Sequence, residues 1–279
     1  MPTNLTEVSQ FTANVPAPND GESANVASLI QALQPLADRT QYLKAAVANG
    51  AVVGRRLVYA PGDGTVHTGA LRVVIGEKLY SHAGGDLGVT GLASNSWYYV
   101  YAYVSGGALA LEYVTTAPDG ALAHKTGDTS RRYVGPFRTD GSGVPLPQTY
   151  SDGECVYRRS QISSSPSDPL CPLGTPGGSA WTTLGSWTDV AVSGLAPPAA
   201  RTVALRGLLS NSSGVTTLEL RTEGDSTNKW SVAYCGSGAT VHFAAEVELS
   251  SSRKAQARMV DASSSSGQSG IVFVTGYRE

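Results

Sequence analysis

Charge is scarce in this 279-residue sequence: charged side chains make up 15%, against roughly 25% in an average soluble domain. The shortage is even-handed, with 20 basic and 22 acidic residues. No basic run occurs, and Arg55-Arg56, Arg131-Arg132 and Arg158-Arg159 are isolated doublets. Nucleic-acid binding needs clustered cations to displace phosphate counterions, so nucleic acid is excluded as an expected partner. No apolar run approaches the ~20 residues of a membrane-spanning helix. Met1-Pro2-Thr3-Asn4-Leu5 lacks the basic-then-apolar layout of a secretory signal, so synthesis is expected in a cytoplasm whatever the final location. Cysteine is sparse and widely spaced, at Cys155, Cys171 and Cys235. Zinc sites want Cys or His pairs two to four residues apart, so free, mostly buried thiols are expected, with a Cys155–Cys171 bridge as the other option. His67, His82, His124 and His242 stand alone, and neither metal nor cofactor is expected.

Enzyme signatures are missing as well. There is no Gly-x-Ser-x-Gly elbow, phosphate-cradling loop, dinucleotide fingerprint or His-Glu-x-x-His stretch. A glycosidase needs two carboxylates held across a cleft. Asp86, Glu112, Asp152 and Glu154 are nominal candidates, read first as solvated loop carboxylates. No repeat marks stacked β-helix rungs.

Backbone punctuation is abundant. Gly (32) and Pro (15) together make up about one residue in six, while 41% hydrophobic residues suffice for a core. Tyr numbers 13 against 4 Phe and 2 Met. This composition predicts a mainly β, loop-rich protein in which a short N-terminal α-helical, coiled-coil-like segment precedes two antiparallel β-sandwich domains. The segments are a polar arm (1–22), a helical oligomerisation segment (23–49), a β-domain (50–160), a Ser/Pro/Gly linker (161–179) and a C-terminal β-sandwich (180–279).

Within 23–49, Val26, Leu29, Leu33, Leu36, Thr40, Leu43 and Val47 recur at spacings of three and four. This 3.5-residue period is that of a seam facing another helix. Ser23 suits an N-cap, and Asn49-Gly50 a stop. Pro35 kinks or splits the helix, and the pattern also fits two ordinary helices lying on the β-domain. A helix of this length is marginal alone in water, which favours burial by self-association; the residue types do not select a trimer over a dimer. Further on, Trp97 to Val104 alternates with period two, putting Trp97, Tyr99, Tyr101 and Tyr103 on one face. Ser105-Gly106-Gly107 turns the chain into a partner strand from Ala108 to Val114. The aromatic row reads as a core or interface face, with a sugar-stacking platform as the alternative. Seven strand candidates follow between Trp181 and Tyr277.

Ala13-Asn14 and Pro18-Asn19-Asp20-Gly21, followed by Leu36-Ala37-Asp38-Arg39-Thr40-Gln41-Tyr42-Leu43-Lys44, resemble the start of bacteriophage tail-fibre and related virion proteins. Trp97-Tyr98-Tyr99-Val100-Tyr101, Thr115-Thr116-Ala117-Pro118 and Arg132 to Asp140 are similar to strands of the same proteins, so the resemblance covers about residues 7–140. It implies a homotrimeric appendage of the virion. Residues 1–22 would attach to a tail or baseplate protein, the helices would bundle on a threefold axis, and the β-domains would project outward. A structural, non-enzymatic tail-fibre or tail-tip protein contacting a host surface glycan or protein is therefore expected. Polar turns of the C-terminal domain are the expected contact loops: Asn211 and Ser212, Asp225 and Asn228, and Ser264. A capsid-attached head fibre or decoration protein, a fibre of an injection system, and a glycan-cleaving depolymerase are the alternatives.

Overall fold

A computed structural model describes residues 52–59, 65–76, 78–157, 185–192, 194–227, 229–261 and 267–279. The helical segment with its seam (Val26, Leu29, Leu33, Leu36, Thr40, Leu43 and Val47), the arm and the linker lie outside the described residues.

The described residues form strands and no helix. The first half contains β1 (Val52–Val53), β2 (Arg56–Tyr59), β3 (Thr65–Thr68), β4 (Leu71–Ile75), β5 (Lys78–His82), β6 (Gly85–Gly88), β7 (Trp97–Ser105), β8 (Ala108–Val114), β9 (His124–Lys125), β10 (Asp128–Arg138), β11 (Gln148–Ser151) and β12 (Glu154–Tyr157). The second half contains β13 (Thr188–Ala191), β14 (Thr202–Asn211), β15 (Thr216–Thr222), β16 (Lys229–Cys235), β17 (Ala239–Glu248), β18 (Lys254–Asp261) and β19 (Gln268–Arg278). The strand pairs are antiparallel and make four sheets. An eight-stranded sheet runs β17-β14-β19-β12-β11-β2-β3-β6. Smaller sheets are β1-β4-β5, β8-β7-β10-β9 and β13-β18-β15-β16.

Period-two alternation explains how these layers stack. In β14, Val203, Leu205 and Leu209 point inward and are buried. They face a core completed by Leu218 and Leu220 of β15, Ala255, Ala257 and Met259 of β18, and Phe243 and Val247 of β17. In the other half, Tyr98, Val100 and Ala102 of β7 and Phe137 of β10 share the core with Leu57, Tyr59 and Tyr150. Each fully buried Val, Leu or Phe stabilises the fold by about 1.5–3 kcal/mol relative to exposure. All of these residues belong to one continuous cluster.

The two β segments expected as sandwich domains thus share one sheet and one core cluster. β19 pairs over its whole length with β14, then carries on beside β12: Glu154 faces Arg278, Cys155 faces Tyr277 and Val156 faces Gly276. The last strand of the second half is thus a central strand of the sheet that holds the first half. A bulge between Ala204 and Leu205 leaves Thr275 as the extra residue of β19 just before this junction. Such a bulge bends a strand and raises its twist. At Gly276 a Cβ would stand 2.2 Å from the Cys155 carbonyl oxygen, so only glycine allows the two backbones to approach.

Aromatic rings cross the junction. Tyr277 stands edge-on to Trp97 at 5.9 Å and to Tyr157 at 6.2 Å. Such pairs are worth about 0.5–1.5 kcal/mol beyond the area they bury. The Tyr157 hydroxyl donates to the Leu195 carbonyl at 2.6 Å, tying β12 to the turn before β14. Glu279 closes the set. Its amide donates to the Gly153 carbonyl at 2.9 Å, and its two carboxylate oxygens accept from the Tyr133 and Tyr150 hydroxyls, each at 2.7 Å. Burial raises the Glu279 carboxyl above the usual glutamate range, opposed by the two tyrosine bonds and by the charge of Arg55.

The crowding at Gly276 predicts that Gly276→Ala lowers unfolding free energy by about 1–3 kcal/mol or more. Gly236→Ala, where an added Cβ meets nothing within 4 Å, is expected to be near neutral. Chemical denaturation midpoints of the two variants measure the difference. The raised carboxyl of Glu279 gives a second expectation. The folded state holds this proton more tightly than the unfolded state, so the group's contribution is complete below the ordinary glutamate range and declines as pH rises through the folded-state value. Glu279→Gln, which keeps an acceptor and carries no charge, is expected to remove this decline in denaturation curves recorded from mildly acidic to neutral pH.

Candidate functional site

The residues singled out from sequence fall in separate places. Tyr99 and Tyr101 are buried, closing the aromatic row as a core face under the segment that carries Ala117 and Leu122. The Tyr101 hydroxyl donates to the Thr116 carbonyl at 2.8 Å, and Arg131 lies 4.7 Å from the Tyr103 ring centre. The row is therefore not an exposed sugar platform. Asp86 pairs with His67 at 2.6 Å, Glu112 with Lys125 at 3.2 Å and Arg131 at 3.3 Å, and Glu154 with Arg278 at 3.6 Å. Asp152 sits in the tight turn between β11 and β12 with φ of 47°. Each of the four carboxylates thus has its own local role, and none is bonded to another. Cys155 and Cys235 are free and buried, and Cys171 lies outside the described residues; burial pushes the Cys155 thiol up to about 12.

The expected contact loops divide. Asn211 is 1% exposed. Its amide nitrogen donates to the Thr216 hydroxyl at 2.7 Å and its oxygen accepts the Ser213 amide at 2.9 Å. It shapes its turn and is withdrawn from solvent, a correction of its reading as a contact residue. Ser212 is exposed beside it. Asp225 spends Oδ1 on the amide and hydroxyl of Thr227, at 2.8 and 2.9 Å. Asn228 and Ser264 lie outside the described residues.

The structure assembles a different surface, the outward face of sheet β13-β18-β15-β16. Alternation puts Leu218 and Leu220 inward, so Thr217, Glu219 and Arg221 face out. On β18, Ala255, Ala257 and Met259 point inward and Lys254, Gln256 and Arg258 outward. The register sets Glu219 opposite Arg258 and Arg221 opposite Gln256. Trp187, just before β13, lies under two guanidinium groups, Arg221 at 4.0 Å and Arg258 at 4.5 Å from its ring. Arginine favours such stacking because its planar cation is attracted to the ring face and is weakly hydrated.

From this centre a chain of polar contacts runs both ways. Arg221 Nε donates to Gln256 Oε1 at 2.9 Å, Gln256 Nε2 to Asp189 Oδ1 at 2.9 Å, and Lys254 Nζ to Asp189 Oδ2 at 2.6 Å. Lys254 also lies 3.3 Å from Glu223, whose other oxygen accepts from Ser250 and Ser252. In the other direction, Arg258 Nε donates to Glu219 at 3.0 Å, and Lys229 lies 3.6 Å from the same carboxylate. The hydrogen bond from Lys254 lowers the Asp189 carboxyl, bonds from Ser252 and Ser250 lower that of Glu223, and the bond to Asp189 raises the Lys254 ammonium. All three groups are charged at neutral pH. Beside the chain, Tyr234 is 65% exposed and opposite Thr217 on the same face, while Trp230 is 44% exposed on the same edge strand. Chemically, this is a face of fixed donors, acceptors and aromatic surface.

Alternation alone made the outward series Thr217, Glu219, Arg221 and Lys254, Gln256, Arg258 readable in the sequence. The β15–β18 pairing that joins them was not, and Trp187 carried no local signal. A second surface, a concavity of about 600 Å³, lies on the outer side of the eight-stranded sheet. Its floor includes Ala204, Ala244 and Phe273, and at its rim Arg278 bridges Glu154 at 3.6 Å and Glu246 at 3.4 Å.

No protein-family model matches this chain, and a search of curated proteins found no match. Among solved structures, the chain has a distant likeness to the N-terminal CBM22-1-CBM22-2 tandem domain from Paenibacillus barcinonensis Xyn10C. That likeness covers 82% of this chain and 91% of the other, at 11% identity and a TM-score of 0.23.

Proposed function

We propose that this chain is a structural and adhesive, non-enzymatic component of a virion appendage: a homotrimeric tail-fibre or tail-tip protein anchored through residues 1–22. Contact with a host surface glycan is made through the outward face of sheet β13-β18-β15-β16. The observation that carries the adhesive reading is the centre of that face, Trp187 under Arg221 and Arg258 with Gln256 and Asp189 alongside. Sugars offer hydroxyl groups and apolar ring faces, and a sheet face with preset hydrogen-bonding groups and aromatic surface matches both at little conformational cost. The resemblance of residues 7–140 to virion fibres and the 3.5-residue seam from Val26 to Val47 support the appendage and its self-association.

Each such face alone is expected to bind weakly. Three on one stalk turn later contacts into intramolecular events and raise apparent affinity by about 10²–10⁴. Two measurements check the reading on the intact chain. Its solution mass is expected at three times the monomer, and binding to host cells is expected to fall at least about tenfold in Trp187→Ala, the scale of an interface hot spot. Circular dichroism checks that the variant keeps its β-fold. A monomeric mass rejects the trimer, and unchanged cell binding by a folded Trp187→Ala rejects this face as the contact site. New reducing ends on incubation with host polysaccharide would replace adhesion with depolymerisation.

A further inference from the structure

A cavity of about 280 Å³ lies where the two halves meet, between the segment that carries Pro118, Asp119 and Leu122 and the turn that carries Pro198 and Arg201. Tyr99 also lines it, and that side chain is only 3% exposed. The neighbouring tyrosines have partners: Tyr101 donates to the Thr116 carbonyl and Tyr133 to Glu279. The Tyr99 hydroxyl has no hydrogen-bond partner among the described residues. The hydroxyl oxygen is open to the cavity rather than sealed, so a ligand there can accept its hydrogen bond. Burial, and after it the charge of Glu279, pushes this hydroxyl up to about 12. It stays protonated at neutral pH and can donate.

At the mouth stands Arg201, exposed and without an ion-pair partner among the described residues. Asp119 lines the same cavity, yet its carboxylate is committed elsewhere. Oδ1 accepts the Ala123 and His124 amides at 2.9 and 3.3 Å, and Oδ2 faces His124 Nδ1 at 3.2 Å. The cavity therefore presents one free guanidinium, one unpaired phenol hydroxyl, and apolar walls from Leu122, Pro118 and Pro198. Guanidinium geometry matches a carboxylate with two parallel hydrogen bonds. The volume falls just below the range of drug-sized ligand pockets, about 300–1,000 Å³, and suits one sugar-sized unit.

We propose that this cavity binds a monosaccharide-sized carboxylate, with the acid group on Arg201 and a ligand hydroxyl on Tyr99. The site is separate from the Trp187 face and stands or falls independently of it. Saturation-transfer NMR on the intact chain, with D-glucuronate as the probe and D-glucose and acetate as comparisons, tests the assignment. Transfer to glucuronate and not to glucose is expected. Arg201→Gln, an exposed substitution, is expected to weaken glucuronate binding about tenfold or more, and Tyr99→Phe about two- to tenfold, the scales of a charged and a neutral hydrogen bond. Weak competition by acetate supports a sugar-sized acid, and competition by acetate as strong as by glucuronate overturns it. No transfer to glucuronate at millimolar concentration, equal transfer to glucose, or undiminished binding in folded Arg201→Gln overturns the proposal.

Discussion

Three residue pairs hold the two halves of this protein in one sheet: Glu154 with Arg278, Cys155 with Tyr277, and Val156 with Gly276. Everything else in the architecture follows from that contact. β19 makes ten register pairs with β14, and the three residues at the end of that ladder, Gly276, Tyr277 and Arg278, also pair with β12. The junction itself admits no side chain at Gly276, where the Cys155 carbonyl occupies the space. Around this tight approach the structure concentrates large rigid rings, Trp97, Tyr157 and Tyr277, and the buried Glu279 with its two tyrosine donors. A buried carboxylate is costly unless its oxygens are bonded, and here each oxygen has one donor. The arrangement favours a single register, because a one-residue slip of β19 would turn Tyr277 to the other face and withdraw Glu279 from both tyrosines.

Much of the strand content was legible in the sequence, for a simple reason. β14 and β15 alternate cleanly because one face of each is buried. β7, buried on both faces from Tyr98 to Ala102, is marked instead by its run of aromatic and β-branched residues, and the Gly106-Gly107 turn marks its hairpin with β8 through two left-handed residues, at φ of 58° and 84°. β3, β6 and β11 were not legible. They have four residues each and contain Thr, Gly, Asp or Gln where a core strand would have Val or Ile. The Asp152-Gly153 pair, with both residues left-handed at φ of 47° and 94°, is the local signal that would have revealed β11, since it is a strong mark of a two-residue hairpin. The shared sheet was hidden for a different reason. Strand pairing between residues more than a hundred positions apart leaves no periodic trace, and the Ser/Pro-rich stretch between them reads as a domain boundary on composition alone.

The same limit governed the Trp187 face. Alternation shows that Glu219, Arg221, Gln256 and Arg258 face outward, but only tertiary pairing makes them neighbours. Sequence reasoning favoured the Ser/Asn-rich turns, because such turns are polar and adaptable. Of these, Asn211 is spent on holding its own turn. A short polar side chain after a strand bonds readily to nearby backbone, and the residue chemistry that suggests a ligand contact also suggests a structural one.

The Trp187 face is a surface that has already satisfied itself. Asp189 accepts from Lys254 and Gln256, Glu219 from Arg258, and Arg221 is shared between a ring and Gln256. Exposed ion pairs of this kind add about 0–1 kcal/mol each to stability, so their consequence is to order side chains more than to hold the fold. Order carries two opposite effects on binding. Preset groups lose little entropy when a ligand docks, yet each donor already has an acceptor, so a ligand hydroxyl replaces or shares a bond and gains little net enthalpy. A face built in this way discriminates by geometry while binding weakly. Weak, rigid and polar is the behaviour that multivalent display converts into firm but reversible attachment.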